Sequence, residues 1–191
     1  GCTQAGSQLP RRCRLELFRT AGRGWGVRSL DVIPQFCHVA DYYGEVFPAA
    51  AFEAAAAAGR SEEYAMDMAP RAGLGAGEEG EEGDGAAEEA ARAAAEAAAP
   101  PPTHVICGLK QRNISAFLNH SCAPNCFVQP VLSHHHDAAQ PRVAIFASED
   151  VPPLTELCFD YGRAYVAAHF AGGCRCGALG CVSAAGGGAA V

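Results

Sequence analysis

No run in this chain is apolar for the roughly 20 residues that a membrane-spanning helix needs, and no charged start followed by an apolar core marks a secretory leader. The chain begins at Gly1 without a methionine, which suggests a fragment or an excised domain. Basic clusters are scarce. Arg11 and Arg12 with Arg14 make too short a run for a nuclear-localisation signal. No internal repeat is visible. Residues 69–102 contain no aromatic or β-branched residue and read almost entirely Ala, Gly, Glu and Pro. Such a segment cannot bury enough apolar surface to offset its ordering entropy. The 49% hydrophobic content therefore overstates the core, because much of it is alanine.

Excess charge is confined to the same segment. Residues 71–102 hold eight acids against Arg71 and Arg92, so about one unit of the total charge of −7 belongs to the rest of the chain. This run reads as a solvated linker, and the acidity is weak support for a basic partner. Residues 86–99 favour helix by their Ala and Glu content but lack an apolar stripe.

What remains is enough for one domain with a real core, since 191 residues is an ordinary domain length. Residues 14–18 alternate polar and apolar and predict a strand. Gly22-Arg-Gly-Trp-Gly26 predicts a tight loop, residues 27–32 a second strand and Asp31-Val-Ile-Pro34 a turn. A further strand is expected over residues 37–46, with Gly44 marking a bulge or a close approach. A short helix over 49–58, strands over 64–68 and 104–107, a helical turn over 113–118 and strands over 142–147 and 156–160 complete the pattern. Many short strands, few helices and frequent Gly/Pro punctuation predict a mainly β domain with short helices.

Ten cysteines stand in a chain without secretory features, and their uneven clustering favours metal over disulfides or free thiols. Cys174-x-Cys176-x4-Cys181 supplies three thiolates of a knuckle that needs a fourth to close a tetrahedral structural zinc site. Cys126 and Cys158 read as buried small residues. His134-His135-His136 lies in a loop-like stretch and reads as solvated, with stray metal binding as the alternative.

Leu15-Glu-Leu-Phe-Arg-Thr20, Gly24-Trp-Gly-Val-Arg28, Asp41-Tyr-Tyr-Gly-Glu45, Asn113-Ile-Ser115, Asn119-His-Ser-Cys-Ala-Pro-Asn125 and Phe159-Asp-Tyr-Gly162 follow one another in order, ahead of the cysteine knuckle. In this arrangement the chain resembles SET-domain protein lysine methyltransferases with a post-SET knuckle, above all the heterochromatin-type histone enzymes. The resemblance implies small curved sheets in which the segment after Asn119 is crossed, pseudoknot-like, by the segment before Tyr161; connection rules alone do not predict this. The implied division is a pre-SET remnant over 1–13, a SET domain over 14–165 with the acidic insert at about 69–102, a post-SET zinc knuckle over 166–183 and a disordered tail over 184–191. Cys2 aligns with the last cysteine of a pre-SET zinc cluster whose other members are missing here.

The resemblance also implies roles. S-adenosylmethionine is the expected methyl donor. Its amino-acid end is expected at Arg23, Gly24, Trp25 and Tyr64, and its adenine at Asn119, His120 and Tyr165. Glycine in Gly24-Trp25-Gly26 lets backbone approach a ligand. Tyr161 is expected nearest the amine and methyl, Tyr42 as the second tyrosine of a lysine channel, and Phe159 as the residue permitting di- or trimethylation. A phenol there would hold a water where the dimethylated amine must turn. Cys122 is the implied fourth zinc ligand beside Cys174, Cys176 and Cys181. A histone-tail or other protein lysine is the implied substrate, with chromatin as an indirect partner, no membrane role, and the nucleus and chromosome as the location.

Some positions depart from the family pattern. Ala116 replaces an arginine, Cys107 an acid and Arg112 a glycine. Leu154-Thr-Glu-Leu157 replaces Gly-Glu-Glu-Leu, Cys158 replaces a small or polar residue, and Gln4-Ala5-Gly6 replaces Asn-Arg-Val. The first three motivate a competing class, a catalytically silent SET-like module that binds protein or peptide. A methyltransferase for a non-histone protein and a zinc-stabilised structural domain compete as well.

Overall fold

Strand-forming residues in this chain come in short runs broken by glycine and proline, and the structure follows that pattern. The computed structural model describes residues 13–68, 102–132, 140–181 and 183. Residues 1–12 of the pre-SET remnant with Cys2, nearly all of the acidic insert with residues 86–99, His134 to His136 and the tail over 184–191 fall outside the described residues. In chain order the strands are β1 Leu15–Arg19, β2 Trp25–Ser29, β3 His38–Asp41, β4 Glu45–Pro48, β5 Ala65–Asp67, β6 His104–Cys107, β7 Asn119–His120, β8 Cys126–Val131, β9 Arg142–Ala147 and β10 Glu156–Phe159. The helices are α1 Ala49–Ala57 and α2 Arg163–His169, with a 3-10 turn at Ile114–Phe117.

Four strands form a sheet in the order β1-β2-β10-β7. β1 and β2 pair antiparallel from Leu15↔Ser29 to Arg19↔Trp25. β10 joins β2 antiparallel through Glu156↔Arg28 and Leu157↔Val27, and β7 parallel through Cys158↔Asn119 and Phe159↔His120. That parallel pairing lays the Asn119 segment beside the segment before Tyr161, as the SET-type crossing requires. A second sheet has the order β3-β9-β8 and a third the order β4-β6-β5, antiparallel throughout the third.

The chain divides into two compact units, residues 1–40, 114–127 and 145–191 in one and 41–113 and 128–144 in the other. In the first unit Val27, Ile33, Val39, Leu118, Ile145, Val151 and Leu157 are fully buried. In the second, Phe52, Val105 and Cys107 form a core cluster against which Phe47, Ala49, Ala65 and Leu109 pack.

Two expectations about elements need correction. The second strand runs over Trp25–Ser29 and not over 27–32, because the β1–β2 ladder already begins at Trp25. The expected strand over 37–46 is two strands, separated at residues 42–44. A Cβ on Gly44 would lie 2.5 Å from the Cys107 carbonyl oxygen, so the expected close approach is with backbone. β8 and α2 were not anticipated. Pro130 in β8 argues against a strand, yet β8 lies at a sheet edge, where a missing N–H is tolerated.

Candidate active site

The loop over residues 20–24 is tied by Thr20, whose N–H and hydroxyl donate to the Gly24 carbonyl at 2.9 and 3.0 Å. The Thr20 hydroxyl in turn accepts from the Arg23 N–H at 3.1 Å. Gly24 has φ +73°, and nothing lies within 4 Å of where its Cβ would be. Such an open position suits a backbone that a ligand approaches. Gly26 differs. A Cβ there would meet Thr20 Cγ2 at 2.7 Å and Glu156 Oε1 at 2.8 Å, so this glycine makes room for side chains of the protein itself.

Arg23 donates to Glu156 Oε2 at 2.6 Å and to the His120 carbonyl at 3.2 Å. Asn119 Nδ2 donates to the Trp25 carbonyl at 3.0 Å and to Glu156 Oε1 at 2.8 Å. The structure thus brings Arg23, Gly24, Trp25, Asn119 and His120 together in one network, with Glu156 at its centre. Trp25 keeps half of its surface open.

His120 is buried, and its Nδ1 accepts the Tyr161 N–H at 3.1 Å. Burial lowers its pKa, Asp160 opposes that shift and Arg23 adds to it. A neutral ring whose Nδ1 accepts carries its proton on Nε2, which lies 3.4 Å from Cys122 Sγ. His120 therefore links the Tyr161 backbone to the cysteine group.

The Tyr161 hydroxyl donates to the Leu118 carbonyl at 2.5 Å. Its ring sits among Phe159 at 4.8 Å, His120 and Tyr165 both at 5.5 Å and Phe170 at 6.3 Å between centroids. Tyr165, on α2, stacks on His169 at 4.1 Å. Phe159 is 4% exposed and ends β10. Asp160 Oδ1 accepts the Gly162 N–H at 2.9 Å and turns the chain into α2. Sequence reasoning missed Phe170 and Glu156. Phe170 stands in an Ala/Gly-rich stretch without periodicity, and the signal for Glu156 lay in Gly26.

Cys122, Cys174, Cys176 and Cys181 form the one metal-type group among the described residues, with all four sulfurs within 4.8 Å of one another. Cys122 Sγ is 3.8 Å from both Cys174 Sγ and Cys181 Sγ. Tetrahedral zinc with Zn–S bonds of about 2.3 Å requires sulfurs about 3.8 Å apart, so the donor set and its size fit that ion. Backbone N–H groups of Cys176 and Ala178 donate to the sulfurs of Cys174 and Cys176. Cys126 and Cys158 lie apart from this group and are buried, as expected.

Tyr42 and Tyr64, the remaining predicted site residues, belong to the second unit. The buried Tyr42 donates its hydroxyl to the Tyr64 carbonyl at 2.9 Å, and that carbonyl also accepts the Gly108 N–H. Tyr64 has φ +62°, and the Arg112 guanidinium lies 4.4 Å over its ring. Cys107 is fully buried in the core cluster of that unit.

A family model described as the SET domain matches residues 24–162, well over half of the chain. The chain belongs to the SET domain family. It is 35% identical over 175 residues to "Histone-lysine N-methyltransferase, H3 lysine-9 specific SUVH6" of Arabidopsis thaliana, an alignment covering 85% of this chain and 19% of the relative. It is 33% identical over 189 residues to the Arabidopsis thaliana enzyme of the same description designated SUVH4, covering 94% of this chain and 30% of that one. Among solved structures, this SET chain is similar to KRYPTONITE in complex with mCHG DNA and SAH, with TM-score 0.67, 33% identity and coverage of 95% and 31%. It is also similar to Arabidopsis thaliana SUVH6 in complex with SAM, with TM-score 0.65, 32% identity and coverage of 94% and 33%. The SET chain thus spans between a fifth and a third of the length of these relatives.

Proposed function

We propose that this SET chain is an S-adenosylmethionine-dependent protein-lysine N-methyltransferase acting on a histone H3 tail lysine. The carrying observation is the β7–β10 pairing, which fastens the Tyr161 backbone to His120 and sets its hydroxyl at the Leu118 carbonyl within an aromatic wall. The similar proteins are described as specific for H3 lysine-9, and a KRYPTONITE structure holds an H3(1-15) peptide with DNA. On this reading the protein works in the nucleus, on the chromosome.

Arg23, Gly24, Trp25, Asn119, His120 and Tyr165 would hold S-adenosylmethionine, and the family resemblance gives Tyr64 a cofactor role as well. That molecule supplies an electrophilic methyl on a positive sulfonium. A lysine side chain has a pKa of about 10.4 and attacks only as the neutral amine, so the site must favour that form and align it. The Tyr161 hydroxyl orients the amine, and Tyr42 is assigned the second tyrosine of the lysine channel. Phe159 places no hydroxyl in the aromatic wall, so no phenol holds a water where a methylated amine must turn. Di- or trimethylation follows. Cys122, Cys174, Cys176 and Cys181 would hold a structural zinc with no open position, a brace and not a catalyst.

Transfer of labelled methyl to recombinant histone H3 tests this reading, with wild type beside Tyr161→Phe and Phe159→Tyr. Label that vanishes in the first variant and stops at one methyl in the second is the expected result. A folded, zinc-loaded wild type that transfers no label would remove it. Ala116, Cys107 and Arg112 favour the second reading, a silent module that binds protein or peptide; calorimetry showing no S-adenosylmethionine binding, or binding without turnover, would favour that module.

A further inference from the structure

Glu156 opens β10, and β10 separates β2 from β7 in the four-stranded sheet. A side chain at this point can reach groups from both neighbouring strand ends, and the carboxylate does so with one oxygen each. Oε2 accepts from Arg23 at 2.6 Å and Oε1 from Asn119 at 2.8 Å. The Glu156 backbone carbonyl is fixed separately, by Asn125 Nδ2 at 2.8 Å. The carboxylate is 19% exposed, so both bonds are charge-assisted and largely shielded from water.

Two consequences follow for the residues it holds. Asn119 gives both amide hydrogens away, to Trp25 and to Glu156. Its amide orientation is thereby decided, and Oδ1 is presented as an acceptor suited to an ammonium or amino N–H. Arg23 has its charge balanced by the carboxylate while it donates to the His120 carbonyl. The place of the carboxylate is built into the neighbouring motif, because Gly26 leaves open the volume that Glu156 Oε1 fills.

We propose that Glu156 is a positioning residue of the cofactor site, acting through Arg23 and Asn119 and touching neither the cofactor nor the transferred methyl. The inference rests on the S-adenosylmethionine reading given above. Glu156→Gln offers a donor where both neighbours require an acceptor, so one of the two bonds must break. A residue that merely held the sheet together would lower stability and the active fraction together. A positioning residue moves cofactor binding selectively.

The test uses zinc-loaded wild type and Glu156→Gln. Calorimetry with S-adenosylhomocysteine is combined with the KM for S-adenosylmethionine, the KM for an H3 peptide, kcat, zinc content and melting temperature. Loss of one charge-assisted bond should raise the S-adenosylhomocysteine Kd and the cofactor KM about 10- to 100-fold. Peptide KM, kcat at saturation and zinc content should stay near the wild-type values. Wild type that binds no S-adenosylhomocysteine would sink the cofactor reading itself. Wild type that binds, beside a Gln variant that binds equally, would overturn the positioning role alone. A variant with lower stability and kcat but an intact cofactor KM would also overturn it. Should Glu156→Gln fail to fold, Glu156→Asp keeps the charge but is one methylene too short to hold both neighbours, and the same selective loss is expected. Failure of both variants to fold would make Glu156 structural and overturn the proposal.

Discussion

Cysteine is used in two opposite ways in the first unit. At Cys122, Cys174, Cys176 and Cys181 the sulfurs converge within 4.8 Å and are half-buried, and those of Cys174 and Cys176 receive backbone N–H groups. At Cys126 and Cys158, on β8 and β10, each thiol is enclosed by the strand core and its pKa rises, to about 12 and about 11. Burial is the main cause at both, with other cysteines adding to it at Cys126 and Glu156 at Cys158. The difference shows that the residue type sets what chemistry is available and its surroundings select it. Convergent sulfurs offer a metal ion its ligands, whereas an apolar enclosure favours the neutral thiol, which acts as a small hydrophobe.

Removing a metal ligand should give the largest effect. Cys174→Ser is expected to reduce zinc from one ion per chain to none by elemental analysis, and to lower the melting temperature sharply. Structural zinc sites in small domains couple about 10 kcal/mol or more of binding to folding. Zinc retained at one per chain in this variant would break the contrast, because it would remove Cys174 from the metal set.

Cys126→Ser should leave zinc at one per chain and still destabilise the protein by about 1–3 kcal/mol, because burying a hydroxyl costs more than burying a thiol and the Cys158 N–H beside it already donates to Asn125 Oδ1 at 2.9 Å. Cys126 is only 1% exposed, so water cannot supply the missing bond. Denaturant midpoints measured beside Cys126→Ala separate the hydroxyl penalty from the lost volume. Equal midpoints for the two variants would mean that the site tolerates a polar group.

A smaller effect is expected with pH. The folded-state pKa values of Cys126 and Cys158 lie above the ordinary thiol value of 9.0. The native state therefore keeps protons that the unfolded chain loses, and stability falls as pH rises. Their contribution is complete below about pH 9 and is lost as pH climbs through 11 to 12. Urea midpoints from pH 8 to pH 11, compared with Cys126→Ala, check the sign; a midpoint that rises over this range would contradict the burial argument. At pH 8 a thiol reagent should modify the four knuckle cysteines once a chelator is added, and leave Cys126 and Cys158 untouched until unfolding.

How much of this could be read beforehand depended on the distance along the chain over which each feature is decided. Local alternation and punctuation located β1, β6, β9, β10, α1 and the 3-10 turn. Cys174-x-Cys176-x4-Cys181 announced three members of the sulfur cluster by spacing, but the fourth, Cys122, is 52 residues from Cys174 and followed only from family likeness. The parallel pairing of β7 with β10 is equally non-local, and two residues of strand at Asn119–His120 carry no periodicity of their own. Glu156 went unrecognised because its partner Arg23 is 133 residues away. α2 went unseen because it is seven residues long, follows Gly162 and has no side-chain cap. Tertiary packing decided each of these, where local propensity is weak.

The smallest expected effect reverses the usual sign of a large-to-small change, and exposure again decides it. Leu154 has φ +63° and is 57% exposed, at the turn where the family carries glycine. Its N–H donates to the Ser29 carbonyl at 2.7 Å, a backbone bond that any residue keeps. The left-handed conformation costs an L-residue roughly 1–2 kcal/mol. Glycine removes that strain but makes the unfolded chain freer, which returns about 0.4–1 kcal/mol. Leu154→Gly should therefore stabilise the protein by about 0.5–1 kcal/mol and leave zinc content unchanged. Phe36 has φ +60° and is similarly exposed, but its ring meets Phe127 edge-on at 6.4 Å between centroids. Phe36→Gly should gain less, since the same relief is set against a lost aromatic contact. Urea midpoints rank the two variants. A midpoint for Leu154→Gly below wild type would show that the leucine side chain contributes more through its buried fraction than its backbone loses in strain.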